Sequence, residues 1–176
     1  MAHKPAENHI AVAMGCFWGV QKLFDSQPGV IASTVGYMGG HIEDPTYEQV
    51  CSGTTGHAEA IWVEFDPAIT SAADLLRVFW ENHDPTQGDR QGNDVGSQYR
   101  SVIFPADDAQ SRLAAEQLAE YQTALSAAGY GTITTEIAPV GVEFWPAEEH
   151  HQKYLQKNPF GYCPIHATGV ACGPAN

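Results

Sequence analysis

The sequence predicts an α+β fold, and three observations carry that prediction. The chain has 176 residues, a length that suits one domain, and 43% of them are hydrophobic, enough for a packed core. Its apolar pattern switches along the chain between a period of two and a period of about 3.6. The first six segments marked in this way follow the order β-α-β-β-α-β.

Residues 9–14 form a short apolar strand, and Gly15 leads into a helix carrying Val20, Leu23 and Phe24. Pro28-Gly29 ends that helix. Residues 30–37 are rich in β-branched side chains and form the next strand. Residues 38–56 read as a long polar loop with Gly39-Gly40, Pro45 and Gly53. A loop of that length without structure of its own is uncommon and often functional. Residues 57–65 alternate and predict a strand.

Residues 71–83 predict a helix, opened by the S-x-x-D pair Ser71 and Asp74 and stopped by Asp84-Pro85. Its apolar face is Leu75, Leu76, Val78, Phe79 and Trp80. Residues 84–98 form a second polar loop, with Gly88, Gly92 and Gly96, and residues 99–104 a strand. A long helix follows over 107–128, with Asp107 as its N-cap and Ala114, Leu118, Tyr121 and Leu125 at helical spacing. Residues 132–137 predict a further strand. Pro146 suits the first turn of a short helix running to about residue 157. Residues 158–176 are Gly- and Pro-rich and predict an irregular tail.

The order of the first six elements is ferredoxin-like, which implies an antiparallel sheet with helices on one face. With no internal repeat, linker or low-complexity stretch, residues 1–176 read as a single catalytic domain. Its βαββαβ core spans 9–104 and its cysteine-bearing tail 158–176.

Eight Lys and Arg stand against 21 Asp and Glu, a net charge of −13. That balance excludes nucleic acid and anionic membranes as expected partners, because no basic excess is left to neutralise phosphate. No apolar run of about 18 residues predicts a membrane span. The first eight residues are polar and carry no apolar leader, so the expected location is the cytoplasm. There Cys16, Cys51, Cys163 and Cys172 stay as thiols unless their chemistry is redox or metal binding. No two of them form a C-x-x-C pair.

Cys16 is the most informative position. It lies where a strand turns into a helix, and unpaired N–H groups at a helix start favour a thiolate. Phe17 and Trp18 beside it are suited to wall an apolar pocket. The competing reading is a cysteine buried in an aromatic core. Glu59 shares a strand face with Ile61, Val63 and Phe65, so desolvation would keep it protonated as a general acid. Its competing reading is an exposed strand end. Tyr47 and Tyr99 offer hydroxyls to an oxygen acceptor, with packing as the alternative. Asp94 sits in the second loop, as an organising carboxylate or a turn residue.

Cys163 and Cys172 lie in the tail, with two open readings: a thiol brought to Cys16, or a ligand in a metal site. Cys163-x-x-His166 with Cys172 and one of His150 and His151 has loose zinc spacing. This leaves a zinc-binding interaction domain as the alternative to a cysteine enzyme, and a thiol peroxidase as a third reading. Cys51 has no evident partner and reads as a non-catalytic thiol.

Gly15-Cys16-Phe17-Trp18-Gly19 resembles the signature of the A-type peptide methionine sulfoxide reductases. The resemblance continues through Gly36-Tyr37-Met38-Gly39-Gly40, Pro45-Thr46-Tyr47, Thr55-Gly56-His57-Ala58-Glu59-Ala60 and Phe79-Trp80-Glu81-Asn82-His83-Asp84-Pro85. It extends over Arg90-Gln91-Gly92-Asn93-Asp94, Gln98-Tyr99-Arg100-Ser101, Ala147-Glu148-Glu149-His150-His151-Gln152 and Gly161-Tyr162-Cys163, in family order.

The resemblance implies thiol-dependent reduction of the S epimer of methionine sulfoxide, free or in proteins, for repair after oxidation. By the family pattern Cys16 is the nucleophile, Glu59 the acid, Tyr47 and Tyr99 the oxygen-binding hydroxyls, and Asp94 a site-organising residue. Phe17 and Trp18 hold the substrate methyl group, and His151 meets substrate backbone. Cys163 matches the resolving cysteine and Cys172 the second recycling cysteine. The implied reductant is thioredoxin. The expected enzyme is a monomer with no bound cofactor and no metal.

Overall fold

Six residues of unbroken apolar or aromatic character, His9–Met14, form β1, and every one is buried because both faces of the sheet are covered. The computed structural model describes residues 7–162 and 165–173. Helix α1 (Phe17–Asp25) follows β1 directly, with Cys16 at its N-cap. Strand β2 (Val30–Met38) then pairs antiparallel with β3 (Ala58–Phe65).

Between them the expected loop holds a short helix, α2 (Tyr47–Cys51). Thr46 and Gln49 cap it reciprocally, side chain to backbone N–H, which explains how five residues hold a turn inside a polar stretch. Ser71 caps α3 (Ala72–Glu81) by accepting from Asp74 N, and Asp107 caps α4 (Asp108–Ala127) by accepting from Gln110 N. The second loop contains a hairpin of two short strands, β4 (Arg90–Gln91) and β5 (Asp94–Val95), and a 3-10 turn over Ser97–Tyr99. Tyr99 therefore precedes β6 (Ser101–Phe104) and is not its first residue.

The main sheet has the order β7-β6-β1-β3-β2-β8, with β7 at Glu136–Ile137 and β8 at Trp145–Pro146. The fold is thus α+β, but its sheet is mixed. After α4 the chain crosses back to lay β7 parallel to β6, whereas the other described pairings are antiparallel. Strand β7 is shorter than the predicted 132–137 because neighbouring backbone is captured elsewhere: Ile133 N donates to Gln122 and Thr134 N to the Pro85 carbonyl.

Pro146 also departs from expectation. It sits on the edge strand β8 opposite Gly36, where its missing N–H costs no ladder bond, instead of opening a helix. A side chain on Gly36 would overlap the Trp145 carbonyl, so glycine is what lets β8 close. The helical part of this segment is a 3-10 turn over Glu149–His151 and then α5 (Tyr154–Lys157).

One face of the sheet packs Ile10, Val12, Val35, Ile61, Val63 and Ile103 against Phe17, Phe24, Leu76, Trp80 and Tyr121 of α1, α3 and α4. The other face, with Ala11, Ala13, Ala60, Trp62 and Phe104, is covered by Ala138, Val142 and Phe144 from the chain after β7, with no helix residue. The helices therefore take one face. The segment after β8 is tied to the helix side by the Gln152 side chain, whose amide donates to the Val35 carbonyl and accepts from Val35 N. Lys153 N donates to Gln21 and its ammonium to Asp25, 2.6 Å away. These bonds bring His151 beside the start of α1. Among the described residues no helix is long and apolar enough to cross a membrane.

Candidate functional site

The site forms where β1 ends and α1 begins, beside the first residues of β3. Gly15 has φ +107, a conformation that favours glycine, and it aims Cys16 at the helix start. The helix-start amides of Trp18 and Gly19 favour the Cys16 thiolate, as the helix position predicts, although the Cys16 side chain makes no capping hydrogen bond. Burial, Glu59 and Asp94 act the other way and win, so that the thiol is pushed up to about 12. Cys16 is only 8% exposed. Cys16 is therefore a thiol at rest, which corrects the expected lowered pKa.

Glu59 lies on the apolar face of β3 as its alternation predicts, opposite Tyr37 of β2, and is 2% exposed. Burial pushes its carboxyl up to about 8; Asp94 adds to this and a hydrogen bond from Phe17 N, at 3.3 Å, opposes it. The second oxygen, Oε2, is enclosed and has no hydrogen-bond partner among the described residues. A buried carboxyl with one free oxygen and a pKa near 8 is a proton donor at neutral pH.

This shift also links Glu59 to stability. Its carboxyl ionises near 4.5 ordinarily and near 8 in the folded chain, so the native state holds the proton more tightly. Native stability then declines as pH rises across that window. Glu59→Gln removes the decline. The urea midpoint of the variant is expected to rise relative to the parent between pH 5 and 8, as followed by tryptophan fluorescence.

Tyr47 opens α2 and Tyr99 closes the 3-10 turn. Burial, together with the nearby Glu59, raises both phenols far above their ordinary range, so both hydroxyls are donors. Tyr99 also lies within electrostatic reach of Asp94 and Cys16. The structure thus brings Cys16, Glu59, Tyr47, Tyr99 and Asp94 together. Asp94 begins β5, is raised by burial, and accepts a hydrogen bond from the Tyr162 hydroxyl at 3.3 Å.

Phe17, Trp18 and His151 form an aromatic wall. Trp18 Nε1 donates to His151 Nδ1 at 3.1 Å, which leaves the ring proton on Nε2. That Nε2 is buried without a partner among the described residues. The His151 ring lies 5.4 Å from Phe17 and 4.4 Å from Tyr47, centroid to centroid.

Sequence reasoning missed two members. Glu148 accepts from the Tyr37 hydroxyl at 3.0 Å and from Tyr47 N at 3.1 Å, and so fixes α2 over the site. Burial alone would raise Glu148, but hydrogen bonds from its own amide, Tyr47 N and Tyr37 hold it below the usual range. Tyr37 was detectable as the residue alternating with Val35 on the face of Glu59. Cys51, read as partnerless, is exposed and lies beside the Tyr47 hydroxyl.

The tail cysteines fare differently. Cys163 lies outside the described residues. Cys172 is 6% exposed, packed by α3, with its N–H donating to Glu81 at 2.9 Å. Burial and Glu81 push its thiol up to about 11. In the reduced protein it is seated in the core, not reachable at the surface. Iodoacetamide is expected to alkylate Cys51 at least about tenfold faster than Cys172, as read by peptide mass mapping.

Among the described residues, the set whose ligand atoms converge within 4.8 Å is Glu148, His150 and His151. The zinc set anticipated around Cys163, His166 and Cys172 includes Cys163, which lies outside the described residues. Both Glu148 oxygens and His151 Nδ1 are already engaged, which fits hydrogen bonding better than ligation. A cavity of about 410 Å³ lies on the other sheet face, lined by His9, Trp62, Phe104 and Phe144, and touches none of the candidate catalytic residues.

A family model described as peptide methionine sulfoxide reductase matches residues 8–171. Peptide methionine sulfoxide reductase MsrA 1 of Caulobacter vibrioides is 59% identical over 161 residues, 92% of this chain and 74% of that protein. The solved structure of methionine sulfoxide reductase A of Corynebacterium diphtheriae is similar with a TM-score of 0.85 and 45% identity, covering 100% of this chain and 86% of that one. Mxr1 from Saccharomyces cerevisiae, solved in complex with Trx2, is similar with a TM-score of 0.57 and 25% identity, over 94% and 93% of the two chains.

Proposed function

The chain belongs to the peptide methionine sulfoxide reductase family, and from that premise we propose that it reduces the S epimer of methionine sulfoxide, free or in proteins, to methionine. The observation that carries the residue-level reading is Glu59: buried, protonated near neutral pH, with Oε2 unpartnered in the neighbourhood of Cys16. A sulfoxide oxygen departs only when protonated, so a thiolate attacking sulfur needs such an acid close by.

In this reading Phe17 and Trp18 receive the methyl group, and the free His151 Nε2–H meets substrate backbone. The hydroxyls of Tyr47 and Tyr99 hold the sulfoxide oxygen, where negative charge develops. Asp94 organises the hairpin beside them. Cys16 loses its proton and attacks the sulfoxide sulfur while Glu59 protonates the oxygen. The protonated oxygen then passes to the Cys16 sulfur: the sulfoxide sulfur–oxygen bond and the new sulfur–sulfur bond break, a Cys16 sulfur–oxygen bond forms, methionine leaves with the electron pair, and Cys16 is a sulfenic acid, having supplied two electrons.

The thiol of Cys163 then displaces that hydroxyl as water and forms the Cys16–Cys163 disulfide. Attack by Cys172 moves the disulfide to Cys163–Cys172 and frees Cys16. That step requires Cys172 to leave its seat beside Glu81. Thioredoxin as the final reductant is supported by the Mxr1 complex with Trx2. The same reading takes residues 1–176 as one catalytic unit with a ferredoxin-like core. The neighbour order β6-β1-β3-β2 supports it.

Racemic free methionine sulfoxide with a thioredoxin system tests the substrate assignment. Consumption is expected to stop at half, leaving the R epimer on chiral chromatography. Equal consumption of both epimers contradicts the assignment.

A further inference from the structure

His166 has no part in the chemistry above, yet it is seated with unusual closeness. Its ring lies against Gly92 in the β4–β5 turn, so near that a methyl on Gly92 would overlap the imidazole. Gly92 has φ +59, so glycine suits the position on both counts. The Nε2 of His166 is enclosed there and has no hydrogen-bond partner among the described residues. Two residues further along the hairpin, Asp94 feels the imidazole as a neighbour that draws its carboxyl downward, against a larger effect of burial. The same Asp94 receives the Tyr162 hydroxyl. Two tail residues, Tyr162 and His166, thus rest on one short hairpin.

Beyond Thr168 the chain is held by different groups. Tyr121 hydrogen-bonds Thr168 and Val170, and Tyr130 donates to the Thr168 carbonyl. The hairpin seat is therefore separate from the anchor on α4.

We propose that His166 is a positioning residue for recycling: packed on Gly92, it keeps the cysteine-bearing tail on the hairpin that also carries Asp94. The inference rests on the reductase reading. In that reading the Cys16 hydroxyl leaves as water when a tail thiol bonds the Cys16 sulfur. The rate of such an intramolecular step follows the effective concentration of the tethered thiol, which falls when the tether loses its seat. Sulfoxide reduction itself needs no tail residue and is independent of His166.

The test uses the full-length reduced protein and one equivalent of the S-sulfoxide, quenched at intervals. Methionine is measured by chromatography and free thiols by titration. His166→Ala is expected to form methionine at the parental rate and to lose thiols about tenfold more slowly. Gly92→Ala is expected to slow thiol loss more in the parent than in His166→Ala, because the overlap needs the imidazole while the strain of φ +59 is common to both backgrounds. Unchanged thiol loss in His166→Ala overturns the proposal. So does a double variant whose defects multiply, or a fall in both steps together. Absence of methionine from the parent protein instead removes the reductase reading.

Discussion

Cys16→Ser is expected to lower methionine formation by about 10³-fold or more, with unchanged thermal unfolding. The serine keeps the size and the N-cap position but replaces sulfur with a far weaker nucleophile that does not accept the sulfoxide oxygen as a stable sulfenic acid. Serine is also a good N-cap residue, so the helix start is not weakened. The site gives Cys16 a helix start that favours its thiolate against the burial that opposes it, and it sets the protonated Glu59 within electrostatic reach. A Cys16→Ser protein with substantial reductase activity, measured by methionine release, would remove the nucleophile from the account.

Glu59→Gln is expected to slow the sulfoxide step by roughly 100-fold or more, because the amide keeps the shape and the Phe17 N–H contact but has no acidic proton. The pH profile carries the stronger discrimination. Near pH 7 both members of the pair are protonated, Glu59 with its pKa near 8 and Cys16 near 12. Attack needs the thiolate and the carboxylic acid together, a state with one proton on the pair. That state becomes populated as pH rises toward 8 and declines only above 12. The single-turnover rate should therefore climb about tenfold per pH unit below 8 and then level. A rate that is flat from pH 6 to 8 and falls above it would mean that the doubly protonated pair reacts. In Glu59→Gln the level near 8 should be absent.

Much of this site is written into local pattern. The alternation of Glu59, Ile61, Val63 and Phe65 anticipated a carboxyl on the apolar face, and the structure has it buried there. The turn from β1 into α1 put Cys16 at a helix start for the same reason: a strand-period run gives way to helical spacing at a glycine. What local pattern lacks is the depth at which these groups end up. The helix amides were anticipated, but the desolvation that outweighs them comes from strands and loops distant in sequence. Pro146 was misread because only the pairing with Gly36, 110 positions earlier, makes an edge strand of it. Glu148 was passed over although it is within a recognised block, since its role depends on meeting Tyr37 and Tyr47 across the fold. Cys172 looked like part of a loose tail, and only the bond to Glu81 on α3 shows it held.

Reduction of the sulfoxide by Cys16 and its resolution by a second thiol of the same chain would both be visible in one turnover. The most direct measurement is free thiols and methionine after one equivalent of methionine S-sulfoxide is added to the reduced protein without external reductant. One methionine formed and two thiols lost are expected in the parent protein, and neither in Cys16→Ser. Unchanged thiols in the parent, or methionine formed by Cys16→Ser, would contradict it.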